Sequence, residues 1–319
     1  MKAAVVRGGV APVYGDFEEP VSRDGEVIVT VRASALSNVT RGQAAGTHYS
    51  SEGGADAFVP GFDGAGALAD GTRVYFAAPR RPFGAMAERA PVRRTVCVKL
   101  PDGVDDVTAA AIANPGMSSW AALTERARFV AGESVLVNGA TGAAGKLAVQ
   151  IAKHLGAATV IATGRNPAAL AALSALGADR VISLDDAPER LVTAFRDAIR
   201  DNGVSVVLDY LWGPPAERII TAIAGDGGDA SRRIRYVEIG GMAGREITLP
   251  SAALRSSALE ILGSGLGSVP FGRLIACVGA LMQAVVPAGL AIATETAPLS
   301  DVAAAWTRNT GANRLVFTV

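Results

Sequence analysis

The sequence predicts an α/β protein in two parts, a β-rich domain interrupted by a doubly wound parallel sheet. Three observations predict it. The first third strings short β-type segments between Gly, Pro and Asp turns, and from about Asp106 the texture becomes alanine-rich and helical. From Val135 onward, strand-like and helix-like stretches alternate, which implies parallel strands joined by helical crossovers. At 319 residues the chain is long enough for two domains with cores of their own.

Taken in order, "KAAVV", "GEVIVTVRAS", "ADGTRVYFAA" and "RRTVCVKL" are the β-type segments of the first domain. No repeat or low-complexity tract interrupts them. "DDVTAAAIANPGMSSWAALTER" follows a helical pattern and is expected to break at Asn114, Pro115 and Gly116, where the missing N–H and the glycine disfavour a helix. That break is the expected domain boundary. Beyond it, strands are expected at Val135 to Asn138, Thr159 to Thr163, Arg180 to Ser183, Val204 to Tyr210, Arg235 to Ile239 and Glu260 to Gly263. "NRLVFTV" closes the chain as a final strand. The expected division is residues 1–116 with 267–319 for the β-rich domain and 117–266 for the parallel sheet.

Bulk properties exclude several function classes. Half the residues are hydrophobic and 19% are charged, yet no uncharged apolar run reaches the roughly 20 residues of a membrane helix. Thirty basic and thirty acidic side chains cancel, and the short Arg clusters lack the sustained positive charge of a nucleic-acid surface. The opening "MKAAVVRGGVAPVYG" reads as a first strand and lacks the apolar core of a secretory signal, so a cytoplasmic protein is expected. Cys97 and Cys277 lie in apolar company with no CxxC spacing, and are expected to be buried free thiols. With two cysteines and two histidines, His48 and His154, a cysteine-based structural zinc site is excluded and no metal site is expected.

The segment richest in chemistry is "VLVNGATGAAG". Gly139, Gly142 and Gly145 directly follow a strand and directly precede a helix whose Leu147, Ile151 and Leu155 share one face. In a dinucleotide-binding turn the middle glycine lets backbone approach the pyrophosphate, the last lets the helix pack closely, and the free N–H groups attract the anion. Gly142 and Gly145 fit those roles, whereas Ala140 stands in the first glycine's place with Gly139 just before it. The cofactor-binding stretch is therefore Ala140, Thr141, Gly142, Ala143, Ala144 and Gly145. A P-loop is disfavoured, because Lys146 is followed by Leu147 instead of Ser or Thr.

The next strand indicates which dinucleotide. An NAD site places Asp or Glu about 20 residues on, to bond the ribose hydroxyls. Here the region reads "ATGRNP", with Arg165 and no acid. A guanidinium holds a 2′-phosphate through paired, charge-assisted hydrogen bonds, so NADPH is expected, with Arg165 and Asn166 at its phosphate. The other reading gives Asn166 as N-cap and Pro167 as first residue of a helix, and the two are compatible.

With "VRASALS", "VPGFDGAG", "FGAMAERA", "ANPGMSSWAAL", "VLVNGATGAAG", "VEIGGMAG", "ILGSGLG" and "NRLVFTV" in this order, the chain resembles the medium-chain dehydrogenase/reductase superfamily, and within it the zinc-free quinone oxidoreductase branch. The resemblance implies a GroES-like catalytic domain interrupted by a Rossmann domain. It also implies that Ser118, Gly240, Gly241, Met242 and Gly265 approach the nicotinamide and phosphates. Three departures bear on metal: zinc-dependent relatives carry Cys where Ser37 stands and His where Phe62 stands, and their cysteine-rich lobe is absent. No Lewis acid then remains to polarise an alkoxide. Asp63, at the family's acidic position beside the lost ligand, is expected to be a buried structural hydrogen-bonder. Short-chain dehydrogenases are rejected, since no Tyr has a Lys four residues later.

Without metal, the chemistry left to a nicotinamide is hydride transfer to an electron-poor centre, with the protein supplying position and electrostatics. The first expectation is a metal-free NADPH-dependent reductase of a quinone or activated enone. An iminium or enoyl reductase of a biosynthetic pathway, and a nucleotide-binding protein without turnover, are the alternatives. Tyr49 in "GTHYSS" is the candidate proton donor, in the loop where zinc-free relatives place an active-site tyrosine, and His48 is its weaker neighbour. His154 is expected to be solvated and Trp120 to pack in a core; Trp212, which follows the fourth expected strand, either packs in a core or lines the cleft. The partners expected are a small electrophilic substrate and a second copy of the chain, with "ALEILGSGLGSV" either at the dimer edge or buried as an inner strand.

Overall fold

The computed structural model describes residues 1–8, 11–46, 57–225, 231–311 and 313–319. The chain divides into two compact units, Met1–Asn114 with Ile275–Val319, and Pro115–Leu274. The divisions between them, at 114/115 and 274/275, fall inside helices, and turn-forming residues mark the expected breaks at 116/117 and 266/267.

The first unit opens with β1 (Lys2–Arg7), whose four central residues are buried, paired antiparallel with β2 (Val13–Asp16). β3 (Glu26–Ala35) leads through Ser37 into α1 (Asn38–Ala44), and β4 (Ala57–Phe58) returns to β1. β5 (Asp63–Ala67), β6 (Arg73–Ala77), β7 (Arg89–Arg93) and β8 (Cys97–Lys99) follow. The DGAGA sequence of β5 has a steric reason: a Cβ on Gly66 would meet the Thr30 carbonyl oxygen of β3 at 2.2 Å. Only glycine lets the two strands lie that close.

α2 (Asp106–Ala121) starts behind Asp105, whose carboxylate accepts the Thr108 N–H at 2.8 Å. The break expected at Asn114, Pro115 and Gly116 does not occur: the helix runs through Pro115. Ala109–Ala113 and Ala121 around it are wholly buried, and that packing outweighs the cost of about 3 kcal/mol for an internal proline. Ser118 and Ser119 donate to the carbonyls of Pro115 and Gly116 at 2.7 and 3.1 Å, and a π-helical turn, Ala122–Ala127, follows.

The second unit is built on β9 (Ser134–Asn138), α3 (Ala143–His154), β10 (Val160–Gly164), α4 (Pro167–Ala171), β11 (Arg180–Ser183), α5 (Pro188–Asn202), β12 (Val204–Asp209), α6 (Gly213–Ala224), β13 (Ile234–Glu238), α7 (Ser251–Arg255) and β14 (Leu259–Gly263). Each strand lies within one residue of its expected position at either end. The described strands form one sheet in the order β11-β10-β9-β12-β13-β14, every pair parallel. The chain winds outward from β9 to β11, crosses back through α5, and winds outward again from β12. The order therefore reverses between β9 and β12, the switch point where open α/β sheets bind ligands at their carboxyl ends. On one face Leu136, Ile161, Val207 and Tyr236 pack under Phe195 of α5 and Ile219 of α6. β14 forms the sheet's edge among the described residues and is mostly half-buried, so the "ALEILG" segment is an edge strand and not an inner one.

The first unit is completed by α8 (Phe271–Val285) from Ile275 onward, β15 (Thr294–Pro298), α9 (Val302–Ala305) and β16 (Arg314–Thr318). β16 pairs antiparallel with β3, giving the order β15-β16-β3-β5-β6-β8 with β7 also on β3. Met86, Leu299, Trp306 and Phe317 are among its core residues. Both cysteines are free thiols; Cys277 is buried as expected, while Cys97, at the start of the short β8, is only half-buried.

Candidate functional site at the carboxyl edge of the parallel sheet

Asn138, Asp209, Glu238 and Gly263 stand in one cross-strand row at the ends of β9, β12, β13 and β14. The segments that follow these ends carry most of the expected cofactor residues. They belong to one edge because parallel strands present all their carboxyl ends together.

The glycine turn leaves β9 at Gly139, whose φ of +86° is the left-handed conformation that glycine adopts without strain. Gly139, one residue earlier than the usual pattern, thus makes the tight turn. Ala140 is fully buried with an ordinary backbone and donates its N–H to the Thr163 carbonyl at 2.8 Å. At Gly142 an added Cβ would meet nothing within 4 Å, and the residue is exposed: backbone lies open to solvent there. Gly142 caps α3 with no side-chain hydrogen bond, so the helix presents its first N–H groups, those of Ala143 and Ala144, without a capping partner. At Gly145 a Cβ would meet Gly139 O at 2.4 Å and Ala140 Cα at 2.6 Å. Thr141 packs against the end of β10, where a Cβ on Gly164 would strike its Cγ2 at 2.4 Å.

Arg165 follows β10, is exposed, and makes no hydrogen bond or ion pair among the described residues. Asn166 caps α4, its Oδ1 accepting the Ala169 N–H at 2.9 Å, with Pro167 as first helical residue. Beyond β13, Gly240 donates its N–H to the Asp209 carbonyl at 3.2 Å, Gly241 is exposed, and Met242 is 73% exposed. Beyond β14, the Gly265 N–H donates to Ser268 Oγ at 2.8 Å. Ser118 lies 3.3 Å from the Tyr210 hydroxyl, whose pKa burial pushes up to about 12, so that it stays protonated.

Four residues that sequence reasoning missed hold this edge together. Asp209, wholly buried, accepts from Asn138 Nδ2 at 2.7 Å, the Leu211 N–H at 2.8 Å, the Trp212 N–H at 3.2 Å and the Tyr236 hydroxyl at 2.6 Å. Burial raises its pKa against these donors, and burial with the Asp209 charge raises that of Tyr236. Thr163 Oγ1 accepts the Gly139 N–H at 3.0 Å and donates to Asn138 Oδ1 at 2.8 Å. The available signal was polar residues ending apolar strands, "VLVN", "VIAT" and "VVLD". Trp212 adopts φ +54°, ψ −159°, a conformation costing a bulky residue about 1–3 kcal/mol. Its N–H on Asp209 and its ring set edge-on against Tyr236, 6.2 Å between centroids, hold it there. Half-buried, Trp212 borders the core instead of filling it. Trp120 is buried, and exposed His154 lies against it at 5.8 Å.

Comparison with known proteins agrees with this architecture. Residues 143–282 match the family model described as zinc-binding dehydrogenase. The chain is 28% identical to the probable NADPH-dependent quinone reductase tdiC of Emericella nidulans, over 92% of each chain. It is 27% identical to the chloroplastic NADPH-dependent alkenal/one oxidoreductase of Arabidopsis thaliana, over 65% of this chain and 61% of that one. The quinone oxidoreductase of Thermus thermophilus, solved with and without NADPH, superposes over 100% of both chains with a TM-score of 0.80 and 27% identity. These matches support an oxidoreductase of the medium-chain dehydrogenase/reductase superfamily, of the quinone oxidoreductase-like kind.

Within this superfamily the first unit is the GroES-like part and the second the Rossmann part. Ser37 and Phe62 stand where the resemblance places zinc ligands of the zinc-dependent relatives. Ser37 Oγ caps α1, accepting the Thr40 N–H at 3.0 Å, and Phe62 offers no donor atom. Asp63 is buried, as expected for a structural group: it accepts from the Tyr75 hydroxyl at 3.0 Å, and its backbone carbonyl accepts from Ser34 at 2.9 Å. Burial raises its carboxyl pKa to about 6 against the opposing charge of Arg314. Among the described residues, no group of three or more His, Cys, Asp or Glu could hold a metal, and no helix is long and apolar enough to cross a membrane. Tyr49 and His48 lie outside the described residues.

Proposed function

We propose that the chain is an NADPH-dependent, metal-free reductase of a quinone or an activated enone. The observation that carries this reading is the open backbone at Gly142, beside the uncapped start of α3 and the free guanidinium of Arg165 on the neighbouring strand end. The N–H groups of Ala143 and Ala144 would hold the pyrophosphate, and Arg165 the 2′-phosphate that distinguishes NADPH from NADH. Asn166 keeps its amide N–H₂ for the same phosphate while its oxygen caps α4. Ser118, Gly240, Gly241, Met242 and Gly265 would border the nicotinamide half. The names of the two relatives, a quinone reductase and an alkenal/one oxidoreductase, support both cofactor and acceptor class.

When bound, NADPH supplies the hydride. The residues of the chain orient the acceptor and exclude water, and Tyr49 would donate the proton that balances the two-electron reduction. Because Ser37 and Phe62 cannot hold zinc, the acceptor must already be electron-poor. The edge strand β14 is where a second copy would extend the sheet. The test is NADPH consumption with a benzoquinone, an α,β-unsaturated ketone and a cyclic imine. Turnover of the quinone or enone supports the assignment. Turnover of the imine alone would replace the acceptor class, and binding without any turnover would refute the enzymatic reading.

A further inference from the structure

We propose that Thr163 is a positioning residue for the cofactor site, holding the glycine turn in shape through a one-way hydrogen-bond chain anchored on Asp209. This rests on the reading of the turn as the NADPH site. The chain begins at the Gly139 N–H, which donates to Thr163 Oγ1 at 3.0 Å. The same hydroxyl donates onward to Asn138 Oδ1 at 2.8 Å, and Asn138 Nδ2 donates to Asp209 Oδ1 at 2.7 Å.

The direction of every link is fixed by its ends. A backbone N–H only donates and an ionised carboxylate only accepts. Asp209 therefore turns the Asn138 amide nitrogen toward itself and leaves the amide oxygen facing Thr163. The Thr163 proton is then committed to that oxygen, and a lone pair is left for Gly139. Asn138, Thr163 and Asp209 are all wholly buried, so no bulk water competes, and successive links polarise one another. The Thr163 carbonyl also accepts the Ala140 N–H at 2.8 Å. One residue on the neighbouring strand thus takes both N–H groups at the start of the turn, including that of the left-handed Gly139. On its other side the same carboxylate accepts the Trp212 N–H. The two turns that flank the switch point between β9 and β12 share one buried anchor.

Thr163→Val, which keeps the shape of the side chain, removes only the hydroxyl, and Thr163→Ser restores it. Two readouts separate the chain from the cofactor assignment: amide exchange at Gly139 in the cofactor-free protein, and NADPH affinity with its steady-state counterpart. Thr163→Val is expected to speed Gly139 exchange, raise the Kd and KM for NADPH about tenfold, and leave kcat at saturating cofactor within about twofold. Thr163→Ser should match the wild type in all of these. Asn138→Ala, which cuts the chain one link further on, should give a loss in the same direction and serves if the valine variant does not fold. Wild-type exchange and affinity in Thr163→Val, or equal losses in the valine and serine variants, would overturn the proposal. If the wild-type protein binds no NADPH, the cofactor reading fails, and Gly139 exchange alone still judges the chain: faster in Thr163→Val upholds it, unchanged overturns it.

Discussion

Gly142 and Gly145, three residues apart in the same turn, should separate binding from stability when each is changed to alanine. At Gly145 the added Cβ meets only backbone, Gly139 O at 2.4 Å and Ala140 Cα at 2.6 Å, so no rotamer relieves it. Ordinary contact begins near 3.4 Å, and α3 must therefore retreat from the turn by about 1 Å, the difference between 3.4 and 2.4. Overpacking of that size costs about 1–3 kcal/mol, roughly 2 to 12 °C in Tm for a unit of this length. It also displaces the N–H groups that would hold the pyrophosphate. Gly142 has φ −77° and ψ 170°, which alanine adopts freely, and an added Cβ there meets nothing within 4 Å. Gly142→Ala should change stability by less than about 1 kcal/mol, because the smaller entropy of the unfolded chain offsets alanine's weaker preference for the N-cap of α3. Its methyl group would occupy the space into which the pyrophosphate must come, weakening NADPH by about tenfold or more. Thermal denaturation paired with a fluorescence titration of NADPH reads both effects. Gly142→Ala with wild-type affinity, or parallel losses of stability and affinity in the two variants, would refute this division of roles.

Arg165→Ala removes charge-assisted hydrogen bonds worth about 1.5–3 kcal/mol and should weaken NADPH by one to two orders of magnitude while sparing NADH; equal losses in titrations of the two would remove the phosphate role. Tyr49→Phe should lower kcat by roughly 10²-fold or more with little change in NADPH affinity, and an unchanged rate excludes Tyr49 as proton donor. Asp63 gives a pH signature with a definite sign. Its folded pKa, about 6, lies above the ordinary 3.8, so its contribution to stability is full below pH 3.8 and lost as pH rises through about 6. The gap corresponds to about 3 kcal/mol. Asp63→Asn should therefore gain stability relative to wild type between pH 4 and pH 7 in denaturant melts, and a constant difference would contradict the buried-carboxyl account.

The strands of the Rossmann part were legible because buried parallel strands read as short apolar runs between glycine and proline punctuation, and "VLVNGATGAAG" carries the turn in its spacing. The helix through Pro115 was not legible, since the local cost of proline is visible in sequence and the burial of Ala109–Ala113 that outweighs it is not. Gly142, Gly145 and Arg165 were readable as types in a pattern. The left-handed turn falling to Gly139, with Ala140 buried behind it, depends on where Thr163 lies on the next strand. Asp209, Asn138 and Tyr236 were missed for the same reason. Each looks ordinary in sequence, and only the register of β9, β12 and β13 brings them within hydrogen-bond reach.

The most direct test of the central claim is the rate of NADPH consumption with a quinone or enone acceptor, measured after exhaustive dialysis against a chelator and repeated with NADH. Undiminished turnover with NADPH and far slower turnover with NADH is the predicted result. Activity lost on chelation and restored by zinc, or equal use of the two cofactors, would contradict the account.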